Sequence, residues 1–118
     1  MDYRLFEAER RFLNIIWETE PVNSTELSRL AFSALGWKKS TTYNMIRRLA
    51  ERKFVVNESA TVRSCVTREE VARHESEELI EKSYAGSVPA FLAAYLRDRK
   101  LTAAEAVELK RMIEEAER

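Results

Sequence analysis

The sequence predicts a mainly α-helical fold with one short β-hairpin. Apolar residues recur at helical spacing through most of the 118 residues, and several of these segments begin with a helix-capping signal. Between the third and fourth helical segments, residues 54–66 have the sequence FVVNESATVRSCV, in which β-branched and aromatic residues flank a polar turn. The length is that of one domain, or of one small domain with an appendage.

Charge is balanced overall but unevenly distributed. The chain has 20 basic and 20 acidic residues. Residues 1–66 carry 11 basic and 8 acidic residues, and residues 67–118 carry 9 and 12, so the first part is the candidate for nucleic-acid binding. The single cysteine, Cys65, excludes an internal disulfide, no apolar run reaches the roughly 18 residues of a membrane span, and the charged N-terminus is unlike a signal peptide. We therefore expect a cytoplasmic protein without membrane contact.

The first helix is predicted from about Leu5 to Glu18. Its buried stripe is expected to comprise Leu5, Phe6, Leu13, Ile16 and Trp17. Its solvent-facing side is expected to comprise Glu7, Glu9, Arg10 and Arg11.

The second helix has clear start and stop signals. Pro21 ends the first helix, and Asn23 and Glu26 have the spacing of a capping box, which predicts a start at Ser24. Gly36 is the expected left-handed residue that ends the helix. Because the following turn, GWKKS, is short, the second and third helices should cross steeply, as in a helix-turn-helix.

The third helix, within residues 37–54, concentrates positive charge. This stretch contains six basic residues and one acid, a local charge of +5. The residues expected to face inward are Thr42, Met45, Ile46 and Leu49. At about 100° per residue, the outward face carries Ser40, Asn44 and Arg47, with Tyr43 and Arg48 on the flanks.

Such a face suits duplex DNA. Lys and Arg side chains neutralise phosphates, and short polar side chains and guanidinium groups reach base edges in the major groove. We therefore interpret the helix, over residues 39–52, as a DNA-recognition helix. The alternative is an ordinary solvated helix face, which explains the charge but not the short polar residues.

A hairpin after the third helix completes a winged helix-turn-helix. We expect two strands within residues 54–66, packed against the helices because so short a hairpin is marginal alone. Arg63 lies in or beside this wing, where it could contact a backbone phosphate or be an ordinary exposed strand residue.

Three further helices follow. The fourth is predicted from about Arg68 to Tyr84, and the fifth begins at Ser87 and Pro89. The sixth begins with a capping box of Thr102 and Glu105.

These helices carry more apolar surface than so short a chain can cover, which predicts a homodimer. The residues expected in the dimer interface are Leu79, Tyr84, Val88, Phe91, Leu92, Tyr95, Leu96, Leu109, Met112 and Ile113. The alternative is that the helices fold back on the winged helix. We thus divide the chain into a DNA-binding domain, residues 1–67, and a helical dimerisation region, residues 68–118.

An enzyme is not expected. The sequence has no Gly-rich phosphate loop, no metal-ligand set and no nucleophile with a base, so no cofactor is predicted. The single histidine, His74, lies in a polar helical segment, where a solvated role is expected.

The chain resembles the penicillinase-repressor family, which includes the β-lactamase, methicillin-resistance and copper-responsive repressors. LFEAERRFLNIIWETEPVNSTEL resembles the family's first helix and the start of its second, and WKKSTTYNMIRRLAERKFV resembles its tryptophan-led recognition helix. VTREEVARHESEELIEKSYAGSVPAFLAAYL resembles its dimerisation arm. The resemblance implies a homodimeric repressor that occupies a palindromic operator.

The resemblance also implies contact residues. It places Lys39, Ser40, Thr41, Tyr43, Asn44 and Arg48 at the DNA, and Val88, Phe91, Leu92 and Leu96 in the dimer. The complete predicted DNA-binding set adds Lys38, Arg47 and Arg63.

Two departures from the family pattern concern regulation. In β-lactam-responsive members, a membrane sensor protease cuts an Asn-Phe bond in the dimerisation arm, where this chain has Ala94 and Tyr95. The copper-responsive members carry a C-terminal cysteine cluster, which residues 106–118 lack. We therefore expect neither form of control. The alternative function is a winged helix used only for protein contacts, since a fold does not fix a function.

Overall fold

Six α-helices and three short β-strands follow one another along the chain. The structure, a computed structural model, describes all residues from Met1 to Arg118. The elements are α1 (Glu7–Thr19), β1 (Val22–Asn23), α2 (Ser24–Leu35), α3 (Lys39–Glu51), β2 (Val55–Glu58), β3 (Thr61–Ser64), α4 (Arg68–Tyr84), α5 (Val88–Leu96) and α6 (Ala103–Ala116). This architecture confirms the predicted fold class, with a winged helix at the N-terminal end.

The chain divides into two compact units, Met1–Glu78 and Leu79–Arg118. The first contains α1 to α3, the sheet and most of α4. The second contains the end of α4 with α5 and α6. None of the six helices combines the length and apolar character needed to cross a membrane.

The predicted helix signals operate as local hydrogen bonds. The Asn23 side chain accepts a hydrogen bond from the backbone N–H of Thr25, so α2 begins at Ser24 as expected. The reciprocal half of that capping box does not form, because Glu26 pairs with Arg29 instead. Gly36 ends α2 in the left-handed region, with φ of 71°.

The sheet has three strands rather than the two predicted. In the order β1-β3-β2, Val55 to Glu58 pair antiparallel with Ser64 to Thr61, and Val22 and Asn23 pair with Val62 and Thr61. The prediction missed β1 because its two residues are too few to show an alternating pattern. The added strand anchors the hairpin to the start of α2, where the Ser24 N–H donates to the Ala60 carbonyl at 2.8 Å.

The core lies in the first unit, between α1, α2, α3 and the sheet. Its fully buried members include Phe12, Leu13, Ile16, Leu27, Leu49, Phe54, Val62 and Val71. Two predictions for α1 are wrong. Phe6, expected in the core, is 69% exposed, and Glu9, expected in solvent, is 1% exposed. The inward face of α1 passes through Glu9 to Phe12 and Ile16, and Phe6 precedes the helix as its N-cap residue.

The N-terminal segment before α1 packs against α3 and α4. The Tyr3 ring stacks on His74 with centroids 3.8 Å apart and meets Phe54 edge-on at 6.3 Å. The guanidinium of Arg52 donates hydrogen bonds to the carbonyls of Asp2 and Arg4. His74 is exposed, as the sequence predicted, and Tyr3 covers one face of its ring.

In the second unit, α5 and α6 begin as predicted. The Ser87 side chain caps α5 by accepting from the Ala90 N–H at 3.1 Å. Thr102 and Glu105 form a complete capping box at α6, with bonds of 2.9 and 3.1 Å. The Thr102 N–H lowers the pKa of the Glu105 carboxyl below its usual value. Neither helix contains a buried residue, so both rely on half-buried contacts within this unit.

Candidate nucleic-acid interface

The helix α3 turns one face into the core and the opposite face to solvent. Thr42, Ile46 and Leu49 are buried, and Met45 is half-buried. This arrangement follows the spacing of the residues that the sequence predicted to face inward. It also fixes the direction of all other side chains of α3 relative to the core.

Most residues of the predicted DNA-binding set lie exposed on α3 or immediately before it. The exposed members are Lys38, Lys39, Ser40, Thr41, Asn44, Arg47 and Arg48. Ser40, Asn44 and Arg47 lie one above the other on the outward face, where Arg47 Nη1 is 3.5 Å from the Asn44 side-chain oxygen. The structure thus brings together short hydrogen-bonding groups and guanidinium groups on one accessible surface.

Tyr43 lies differently from the other members of the set. It is half-buried, and its hydroxyl donates to the Ser24 Oγ at 3.3 Å, at the start of α2. The hydroxyls of Ser24 and Thr25, which can donate to the phenolate, and the charge of Lys39 lower the pKa of Tyr43 despite its burial. The Lys39 ammonium lies 5.8 Å from the centre of the Tyr43 ring. Tyr43 therefore connects α3 to α2, with an edge left accessible.

The start of α3 has no side-chain cap. Lys38 occupies the N-cap position with extended backbone, φ −66° and ψ 157°, and its side chain makes no capping bond. The first backbone N–H groups of α3 consequently remain available to an acceptor from outside the chain, since such groups have no partner within the helix.

A buried acid beneath α3 was missed by sequence reasoning. Arg52 Nη1 donates to Glu9 Oε2 at 2.7 Å, and Arg48 Nε lies 3.4 Å from the same oxygen. The Arg48 guanidinium also lies over the Phe6 ring, 5.6 Å from its centre. The available signal was the spacing of Glu9 with Phe12 and Ile16, which puts a carboxylate on the buried side of α1.

The wing presents Arg63 at the surface. Arg63 is on β3, and its Nη2 lies 3.3 Å from an oxygen of Glu58. Ser59 and Ala60 form the two-residue turn between β2 and β3. Both residues have positive φ, as two-residue hairpin turns that match the twist of the strands require. The wing therefore carries its positive charge next to a neighbouring carboxylate.

The residues of the predicted dimer surface are exposed or half-buried in the single chain. Leu79, Val88, Tyr95, Met112 and Ile113 are about half exposed, at 47–54%. The half-buried members are Tyr84, Phe91, Leu92, Leu96 and Leu109. Phe91 contacts both Tyr84 and Tyr95, with centroids 5.5 and 5.9 Å apart. An apolar groove of about 520 Å³ lies between α5 and α6, and the members of the set that line it are Phe91, Leu92, Tyr95, Leu96 and Leu109.

The candidate site brings no three His, Cys, Asp or Glu side chains together as a potential metal site. A comparison with curated proteins finds no match. The family model described as penicillinase repressor matches residues 5–115, which include the winged helix and almost all of the second unit. That family is regulatory in name and not enzymatic. This match confirms the resemblance carried by the sequence motifs, and the chain belongs to the penicillinase repressor family.

Proposed function

We propose that this protein is a transcriptional repressor that binds a palindromic DNA operator as a homodimer, with α3 in the major groove. The observation that carries the proposal is the outward face of α3. It presents Ser40, Asn44 and Arg47 within residues 37–54, a stretch with six basic residues and one acid in a chain whose net charge is zero. Family membership supports the regulatory role.

The chemistry of this face fits a duplex. Lys38 and Lys39 lie at the uncapped start of α3, where side-chain charge, free N–H groups and the helix dipole all favour a phosphate. Asn44 and Arg47 have the donor and acceptor groups that distinguish base pairs in the major groove. Arg63 on the wing adds a possible phosphate contact outside the groove, with Glu58 as its competitor.

The second unit supports the dimer. A set of large apolar side chains, from Leu79 to Ile113, remains about half exposed, which is a costly surface for a monomer in water. A two-fold axis through this unit would cover the same surface on both copies. Two α3 helices could then occupy successive major grooves, about 34 Å apart.

The test is a fluorescence-anisotropy titration of a palindromic duplex, selected from a random pool by the protein itself, over a range of salt concentrations. We expect the logarithm of the association constant to fall linearly with the logarithm of salt, by about 0.9 for each phosphate neutralised. A protein that selects no duplex and shows no salt-dependent binding would instead be a protein-interaction module.

Arg47→Ala tests the face itself. If Arg47 contacts a base, we expect the variant to lose about 1–3 kcal/mol of binding free energy and to discriminate less between sequences. If Arg47 contacts a phosphate, we expect the same loss of binding for all sequences and a salt slope smaller by about one. Arg73→Ala, which removes the same charge from an exposed position on α4, is the matched control and should bind as the wild type does. Equal binding by both variants would remove α3 from the interface.

A further inference from the structure

Arg48 is held from two sides by residues at the beginning of α1. Its Nε lies 3.4 Å from Glu9 Oε2, and its guanidinium carbon lies 5.6 Å from the centre of the Phe6 ring. The side chain is nevertheless 52% exposed. An arginine on the flank of the candidate interface is thus held in place while remaining accessible.

The carboxylate that holds it is itself fixed. Glu9 is 1% exposed, and its Oε1 accepts a hydrogen bond from the Phe6 backbone N–H at 2.8 Å. Its Oε2 accepts from Arg52 at 2.7 Å. Because both oxygens are already engaged by other groups of the first unit, Glu9 cannot move to follow a mobile Arg48. It defines a direction for the Arg48 side chain instead.

These contacts leave one edge of Arg48 free. Nε is the nitrogen that approaches the carboxylate, and the guanidinium carbon lies over the Phe6 ring. The two terminal nitrogens make no hydrogen bond within the chain, and they form the fork that binds two phosphate oxygens at once. The contact with Arg48 also explains why Phe6, a large aromatic residue, lies at the surface with 69% of its area exposed.

We propose that Glu9 and Phe6 are positioning residues that preorganise Arg48 to bind a DNA phosphate. This inference rests on the proposed function and goes further, because it assigns a binding role to two residues that need not touch DNA. Immobilising a flexible side chain on binding costs roughly 0.5–1.5 kcal/mol, which corresponds to roughly 2- to 12-fold in affinity. In this protein part of that ordering is completed during folding.

Glu9→Gln tests the proposal because the change in charge and the loss of the Arg48 position should alter DNA affinity in opposite directions. Removing a carboxylate near DNA should by charge alone strengthen binding, and Glu7→Gln, an exposed change on the same helix, measures that general effect. Gln can still accept from the Phe6 N–H but no longer attracts Arg48. We expect Glu9→Gln to bind the selected duplex about 2- to 12-fold more weakly than Glu7→Gln, although the two proteins have the same net charge. Equal or tighter binding by a folded Glu9→Gln protein would overturn the proposal.

Phe6→Ala provides an independent test if Glu9→Gln does not fold, since Glu9 also holds Arg52. Phe6 is exposed, so its truncation leaves the core intact. We expect Phe6→Ala to weaken binding by the same factor in the wild type and by less than about 2-fold in an Arg48→Ala background. An equal loss in both backgrounds would show that Phe6 acts without Arg48, and the inference would be wrong. Failure of the wild-type protein to bind any duplex would instead refute the proposed function.

Discussion

Thr42 offers the sharpest test of the packing beneath α3. The residue is fully buried, and its hydroxyl is the one buried side-chain polar atom without a hydrogen-bond partner in the structure. An unsatisfied buried polar group costs about 1–3 kcal/mol. Thr42→Val keeps the shape and the β-branch while replacing the hydroxyl with a methyl group. We therefore expect the variant to be more stable by about 1–2 kcal/mol.

The measurement is urea unfolding followed by tryptophan fluorescence. Trp17 and Trp37 both lie in the first unit, so the signal reports on the unit that contains α3. The same stabilisation should raise the melting temperature by about 4–8 °C per kcal/mol for a unit of this size. Because Thr42 faces the core, the outward face of α3 should bind DNA as before.

Thr41→Val is the matched control for stability. It makes the same chemical change one position earlier, at an exposed site, and should alter the free energy of unfolding by less than about 0.5 kcal/mol. If Thr42→Val were no more stable than the wild type while Thr41→Val behaved as expected, the hydroxyl of Thr42 must have a partner, and our account of the core would be incorrect.

Two further predictions concern the backbone and the second unit. Gly36→Ala should destabilise the protein by about 1–2 kcal/mol, because Gly36 has φ of 71°, where a Cβ strains the backbone even though the space around it is open. Ala60→Gly, at φ 62° in the wing turn, should instead be neutral or stabilising, because it removes a Cβ from the same left-handed region. Urea unfolding would contradict this reasoning if the two changes altered the free energy of unfolding with the same sign. Phe91→Asp should yield monomers in analytical ultracentrifugation, because it places a charge in the predicted interface, whereas a dimer that persists would exclude that interface.

The sequence predicted those elements whose signals are local. Asn23, Gly36, Ser87 and Thr102 act through their own backbone neighbourhood, and the helices next to them begin or end where expected. The spacing of the inward-facing residues was sufficient to predict the buried face of α3 for the same reason, because this spacing is visible without knowing which element packs against the helix.

The features that the sequence did not predict depend on distant contacts. The strand β1 exists because Val22 and Asn23 meet Val62 and Thr61, about 40 residues away in the chain. Glu9 is buried because Arg48 on α3 and Arg52 just after it pair with its carboxylate, and Phe6 is exposed because it covers Arg48 rather than the core. A helical pattern shows which side of α1 is apolar, but not that a charged partner will satisfy an acid on that side.

The DNA-binding and dimer residues remain predictions, which the binding and ultracentrifugation measurements above test.

The contacts of the N-terminal segment have a consequence for how the first unit is delimited. Residues 1–6 precede α1 in the structure, although the sequence predicted a helix from about Leu5. Arg52, at the end of α3, nevertheless donates to the carbonyls of Asp2 and Arg4, and Tyr3 lies against both Phe54 and His74. Trimming the chain to its first helix would remove these contacts from the C-terminal end of α3. A minimal fragment that keeps α3 in place must therefore retain these residues.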